Sequence, residues 1–273
     1  MNARAAADDP LVSVVTLTRG RGALLERAIA SVEAQRGVRV EHVVLGDACP
    51  QLADPGLRAR LTAERPHLAL HNVPREQPVD YLPARLGALR NHGVQLARGE
   101  YVAQLDDDNA FEPDHLRLLV EALRRTPRAE AAHSWRCLFD AHDSPFVPTR
   151  VDPWRPASDA DGRSFATLTR LGILSPGSNV VRDRLDTGGE LLPRVDTSEY
   201  LVTRTLHERC PWQTCFSRGA RRLGFTEDVS FSAALVRLGV VVACSEQPTL
   251  RYYMGGYSND RAADTPDTPR VAG

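Results

Sequence analysis

Apolar positions alternate between two patterns along this chain. Short continuous runs, rich in β-branched residues, fall at 11–17 (LVSVVTL), 40–45 (VEHVVL), 68–73 (LALHNV) and 101–105 (YVAQL). Such runs predict strands buried on both faces. Between them the period becomes helical. Leu24, Leu25, Ala28, Ile29 and Val32 share one face, and Gly37 ends the pattern. A short helix is predicted over 57–63. A longer one over 84–96 carries Arg85, Leu86, Leu89, Arg90, Asn91 and Val94. After Pro113, the spacing of Leu116, Leu119, Val120 and Leu123 predicts another. This alternation defines an α/β chain with a mainly parallel central sheet flanked by helices.

The character changes after Arg128. A strand is predicted over 129–138. The stretch 140–163, with SPFVPTR and DPWRPASDADG, reads as a functional or poorly ordered loop. Residues 165–171 are helical in pattern, and 175–185 (SPGSNVVRDRL) read as a turn, a short strand and the start of a helix. The section 186–224 is rich in acids and arginine and holds Trp212 and Phe216. A helix follows whose apolar face includes Phe231, Ala234, Leu235 and Leu238, then a late strand over 240–244. These shifts divide the chain into a leader (1–10), two halves (11–128 and 129–258) and a flexible tail (259–273).

Composition removes several function classes. The chain has 273 residues, 42% of them hydrophobic, enough for one large domain or two small ones. A net charge of -1 leaves no nucleic-acid footprint. All 34 basic residues are arginine, so neither a lysine Schiff base nor a P-loop lysine exists. The turn after the first strand, TRGRG, lacks the dinucleotide-binding glycine spacing. No apolar run approaches the roughly 18–20 residues that span a bilayer, and MNARAAADDP lacks a signal-peptide core. Five scattered cysteines (Cys49, Cys137, Cys210, Cys215, Cys244) fit reduced thiols and a cytoplasmic location. Cys210 and Cys215 have no second pair to complete a zinc site, and the histidines show no metal-ligand spacing. Trp135, Trp154 and Trp212 read as core or loop anchors, with Trp212 also a candidate ligand contact.

The chemistry concentrates in GEYVAQLDDDNAFEPDHL (99–116). A core strand ends in Asp106, Asp107 and Asp108, just before a helix. In open α/β sheets that edge binds ligands. Carboxylates this close repel, and a divalent cation such as Mg²⁺ or Mn²⁺ relieves them. An EF-hand register fails, because its sixth position is Phe111 and its twelfth Arg117. A phosphatase-type nucleophile lacks a suitable following hydroxyl. A plain helix cap does not need three acids when Asp114 is already present. Two other strands reach the same edge with Thr16/Thr18 and with Asp47.

These segments together resemble the family 2 glycosyltransferases, inverting enzymes of GT-A fold that use nucleotide sugars. The resemblance runs over roughly 11–245 and is strongest in VSVVTLTRG, VEHVVLGDACP and ARLGALRNHGVQLARGEYVAQLDDDN. The nearest type is the small soluble spore-coat polysaccharide transferase, whose acids also run Asp-Asp-Asn. It implies a nucleotide-sugar-binding half (11–128) and an acceptor-binding half (129–258) of one GT-A domain. It implies that Thr16 and Thr18 meet the nucleotide, that Asp47 binds the base or its ribose side, and that Arg85 contacts the uracil-type base. By the same resemblance Asp107 would hold the ribose or sugar and Asp108 would bind the metal (Mn²⁺ or Mg²⁺), while three acids allow two registers of the DXD-type pair and leave Asp106 open. Asp228 is the implied catalytic base; its position at a helix start equally suits a dipole-favoured acid.

The implied activity moves one sugar from a UDP- or dTDP-type donor to an acceptor hydroxyl on a saccharide, a lipid-linked intermediate or a natural-product aglycone. Two departures matter. RYYMGGYSND lacks the late histidine that completes many family metal sites, and the QxxRW signature of processive synthases is absent. A nucleotidyltransferase acting on a sugar phosphate would need a glycine-rich basic loop, which LTRGRGA matches only in part. A non-catalytic nucleotide-sugar-binding domain is opposed by the presence of Asp107, Asp108 and Asp228.

Overall fold

A computed structural model describes residues 9–255 apart from Glu64 and Ala157. The tail predicted at 259–273, and all but two residues of the leader, lie outside the described residues. The four predicted N-terminal runs are strands β1 (Leu11–Thr18), β2 (Arg39–Asp47), β3 (Leu68–Val73) and β4 (Tyr101–Gln104). Helix α1 (Gly22–Glu33) joins β1 to β2. The short α2 (Pro50–Ala53) and α3 (Pro55–Thr62) join β2 to β3, and α4 (Leu82–Leu96) leads to β4. All pairings among these strands are parallel, with β1 between β2 and β4 and β3 outside β2.

Both sheet faces are covered, which is why these strands read as unbroken apolar runs. Val12 and Val14 pack with Ala28, Leu116 and Leu119 on one face. Val15 and Leu17 pack with Leu45, Leu89 and Val102 on the other.

Beyond β4 come the two-residue β5 (Ala110–Phe111), α5 (His115–Arg125), β6 (Ala131–Phe139), α6 (Arg163–Arg170) and β7 (Val180–Val181). Then follow β8 (Tyr200–Thr203), α7 (Arg204–Arg209), α8 (Arg218–Arg222), α9 (Glu227–Arg237) and β9 (Val242–Tyr253). The nine-stranded sheet has the order β3-β2-β1-β4-β8-β6-β9-β5, with β7 pairing on β6. β8 is antiparallel to both neighbours, while β9 runs parallel to β6. This is the mixed α/β architecture that the pattern predicts. Among the described residues, no helix is long and apolar enough to cross a membrane.

Three local readings differ from the sequence. β8 lies inside the polar section 186–224, where no strand was predicted, because it spans only four residues. β9 continues to Tyr253 rather than stopping at 244; register shifts opposite His133–Arg136 and the positive φ of Glu246 interrupt its apolar run. No helix begins within 175–185; Arg184 instead bridges Arg194. The long loop is held by buried acids. Asp159 accepts from the backbone N–H groups of Asp152, Ser164 and Phe165, at 2.7, 2.7 and 2.9 Å.

Candidate active site

The carboxyl ends of β1, β2 and β4 bring their polar residues to one edge. At the end of β1, Thr18 Oγ1 donates to Asp107 Oδ2 at 2.7 Å, tying two strand ends together. β2 ends at the buried Asp47, which receives Arg85 Nε at 2.9 Å and the Arg75 guanidinium. Burial alone would raise the Asp47 carboxyl, but hydrogen bonds from Arg75 and Arg85 outweigh it and hold it below its ordinary range. Arg85 stands in the first turn of α4, and its Nη2 also donates to the Pro74 carbonyl at 3.1 Å. Asp47 and Arg85, singled out separately in the sequence, are thus in contact.

Each acid after β4 meets an arginine. Asp106 Oδ1 accepts from Arg90 Nη2 at 2.9 Å. Arg21 Nη1 bridges Asp107 Oδ1 at 3.3 Å and Asp108 Oδ2 at 2.6 Å. Arg27 Nη2 donates to the Asp108 carbonyl at 2.5 Å. Negative charge still dominates. Burial, then repulsion from Asp106 and Asp107, pushes the Asp108 carboxyl up to about 7 against the pull of Arg21. Burial likewise raises Asp107, against the Thr18 hydrogen bond and the Arg21 charge.

Arg90 carries this network to the other half of the chain. It lies on the buried face of α4, and the same Nη2 donates to Glu227 Oε1 at 3.3 Å. Its guanidinium carbon sits 5.4 Å from the Trp212 ring centroid. Burial and the neighbouring Asp228 charge push Glu227 up to about 7, with Arg90 opposing. Asp228 is half-buried beside it. Its Oδ1 accepts the Val229 N–H at 2.8 Å and the Thr226 hydroxyl, so it also serves the helix start. Asp196 completes this acidic wall. Arg136 Nη1 holds it at 2.8 Å, and burial, with the charges of Asp106 and Asp228, pushes it up to about 6.

Two residues singled out in the sequence stand apart. Thr16 is fully buried, and its Oγ1 lies 2.9 Å from His42 Nε2, so its hydroxyl is taken up within the sheet and Thr18 is the β1 residue that meets the acids. Trp212 is buried and stacked on Phe231 at 4.1 Å, a core anchor rather than a surface platform. Sequence reasoning passed over Arg21, Arg75, Arg90 and Asp196 as site residues. Arg90 carried a usable signal, a charge set in the apolar stripe of Leu86, Leu89 and Gly93.

Among the described residues, no three His, Cys, Asp or Glu side chains are grouped so as to hold a metal ion by themselves. That donor set still fits Mg²⁺ or Mn²⁺, which bind through one or two carboxylates and complete their shell with substrate phosphates and water. The excess negative charge that raises Asp108 is what such an ion would relieve.

The sheet order and this acidic edge define a GT-A fold. Residues 81–186 match the family model described as glycosyl transferase family 2, so that segment is similar to those enzymes. The succinoglycan biosynthesis protein ExoO of Rhizobium meliloti is 36% identical over 132 residues, 48% of this chain and 33% of that protein. The match thus covers about a third of the length of this curated relative. Two solved structures share the fold. TarS of S. aureus (residues 1–349, in complex with UDP) gives a TM-score of 0.56 at 14% identity, over 89% of this chain and 60% of that one. Mannosyltransferase PcManGT from Pyrobaculum calidifontis, in complex with GDP-Man and Mn²⁺, gives 0.56 at 17% identity, over 89% and 56%.

Proposed function

We propose that this chain is an inverting glycosyltransferase that moves one sugar from a UDP- or dTDP-type donor to an acceptor hydroxyl with a divalent metal. The observation that carries this reading is Arg90, which bonds Asp106 on the donor side and Glu227 at the start of α9. One guanidinium thereby sets the diphosphate-binding acids against the helix that carries the proton acceptor.

In this reading the base and its ribose side lie against Arg85 and Asp47, with Thr18 and Asp107 orienting the ribose or the sugar. Asp108 holds the metal, with Asp106 or Asp107 as the other member of the acidic pair. A bound Mn²⁺ or Mg²⁺ supplies Lewis-acid neutralisation of the departing diphosphate. Asp228 takes the acceptor proton as the hydroxyl attacks from the face opposite the leaving group, and one such displacement inverts the anomeric carbon. Glu227 is unsuited to that task, because it is buried and paired with Arg90, whereas Asp228 is half-buried. The acceptor remains a hydroxyl-bearing saccharide, lipid-linked intermediate or natural-product aglycone.

The test is thermal stabilisation of the purified protein by UDP, dTDP, GDP and ADP, each with and without Mn²⁺. A metal-dependent shift with a pyrimidine diphosphate supports the reading. A shift with GDP alone moves the donor to the guanine class, and no shift with any nucleotide removes the transferase assignment.

A further inference from the structure

Arg21 occupies a demanding position. It is the N-cap residue of α1, in a turn between Gly20 and Gly22, and Gly20 adopts a φ of +75° that favours glycine. The turn directs its guanidinium back onto the acids after β4. There Nη1 lies 2.6 Å from Asp108 Oδ2 and 3.3 Å from Asp107 Oδ1. These oxygens belong to the pair that the proposed function assigns to metal and ribose. An ion that takes Asp108 Oδ2 must therefore take it from Arg21. Two cations cannot share the oxygen without strong repulsion in a site this buried.

The alternatives open to Arg21 are limited. Asp106 is already held by Arg90, and the Asp108 carbonyl by Arg27. Asp47 is held by Arg75 and Arg85. A guanidinium displaced from Asp107 and Asp108 needs a new anion within reach of the same turn. A diphosphate beside Asp108 is such an anion, and arginine matches phosphate oxygens with a planar fork of donors.

On the reading given under Proposed function, we propose that Arg21 is a positioning residue that competes with the divalent cation for Asp107 and Asp108 and turns to the donor diphosphate when the cation takes them. Metal alone then binds weakly, because it has to displace an internal ion pair. Metal arriving with a diphosphate binds tightly, because the displaced arginine is re-partnered. The coupling between metal and nucleotide resides in one side chain as well as in direct metal–phosphate contact.

The experiment measures Mn²⁺ binding by the electron paramagnetic resonance signal of the free ion, in wild type, Arg21→Gln, Asp108→Asn and the double variant. Inorganic pyrophosphate serves as a base-independent probe of the diphosphate site. With Mn²⁺ alone, Arg21→Gln is expected to bind roughly five- to ten-fold more tightly than wild type, within the usual range of a coupling between sites. With Mn²⁺ and pyrophosphate together, it is expected to bind pyrophosphate more weakly than wild type by about the same factor. The tightening has to vanish in the double variant, since it acts through Asp108. Arg21→Lys, which keeps the charge but not the fork, is expected to fall between the two, and its melting curve guards against a folding defect in the glutamine variant.

If Arg21→Gln leaves the affinity for Mn²⁺ alone unchanged or weaker while Asp108→Asn abolishes it, the competition is overturned and the metal assignment stands. If wild type binds no Mn²⁺ with or without pyrophosphate, or binds it regardless of Asp108, the metal assignment itself fails and the competition fails with it.

Discussion

Arg90 and Glu227, 137 positions apart in the chain, meet at 3.3 Å through the same nitrogen that holds Asp106. Arg90 is 3% exposed and Glu227 5%, so neither is solvated when its partner is removed. Truncating one member of a buried pair leaves an uncompensated charge, typically at about 3–5 kcal/mol. Arg90→Leu is therefore expected to lower stability by that order. Removing both partners with Arg90→Leu and Glu227→Leu is expected to do less damage than the sum of the single changes. Urea denaturation at pH 7 checks this. Strict additivity would show that the pair does not act as a unit.

The same pair marks where the sequence was legible and where it was not. Strands β1 to β4 announce themselves because a sheet covered on both faces needs continuous apolar runs, and α5 shows its core side through Leu116, Leu119, Val120 and Leu123. The Asp106–Asp108 cluster could be placed at a strand end for the same reason. β8 could not, since Tyr200–Thr203 gives four residues and no periodicity. Just before it, Asp196 and Glu199 form a reciprocal capping box around the 3-10 turn Thr197–Glu199, which signals a helical turn and not a strand. The partners of each acid were hidden for a different reason. Every cation here is arginine, and composition does not say which of 34 guanidinium groups turns inward.

Asp47 and Arg85 come next, as the pair assigned to the nucleotide base. Arg85 also ties α4 to the Pro74 carbonyl, but it keeps 23% side-chain exposure, so its loss is tolerable for the fold. Arg85→Ala is expected to weaken nucleoside diphosphate binding by about ten-fold, the value of one charge-assisted contact of roughly 1.4 kcal/mol. Pyrophosphate binding with Mn²⁺ should be unaffected, because the site proposed for the diphosphate is at the other strand end. Calorimetric titration with both ligands separates the two. Equal weakening of both would place Arg85 on the phosphates instead.

Asp228 and Glu227 are adjacent but differ in surroundings. Asp228→Asn keeps the shape of the helix start, and its side-chain oxygen can still accept the Val229 N–H. It is expected to retain nucleotide binding and to lower turnover by about 100-fold or more, the usual contribution of a general base. Glu227→Gln is expected to act on stability through Arg90 and much less on turnover at saturating donor. Donor affinity and kcat measured on both variants distinguish them. Full turnover in Asp228→Asn would remove it as the base.

His115 offers a pH test away from the acidic edge. It is fully buried, stacked on Phe111 at 4.0 Å, with Nδ1 2.8 Å from Thr249 Oγ1. Burial pulls its pKa down to about 3, and the Thr249 contact opposes only weakly. The folded protein thus keeps it neutral, while the unfolded chain takes up a proton below the ordinary histidine value of 6.5. Protons favour the unfolded state throughout that window, so the stability present above pH 6.5 is lost progressively as pH falls toward 3. The loss amounts to about 1.4 kcal/mol for each pH unit. Glu227, Asp108 and Asp196, with raised folded pKa values, act in the opposite sense between the ordinary carboxylate range and their folded values. The total profile is therefore a sum of opposed slopes, and the informative quantity is the difference between wild type and His115→Gln. That difference is expected to be constant above pH 7 and to shrink steadily below pH 6.5, as wild type loses the His115 contribution that the variant lacks. Urea midpoints collected from pH 5 to pH 8 read it directly, and parallel curves would mean that His115 is protonated in the folded core.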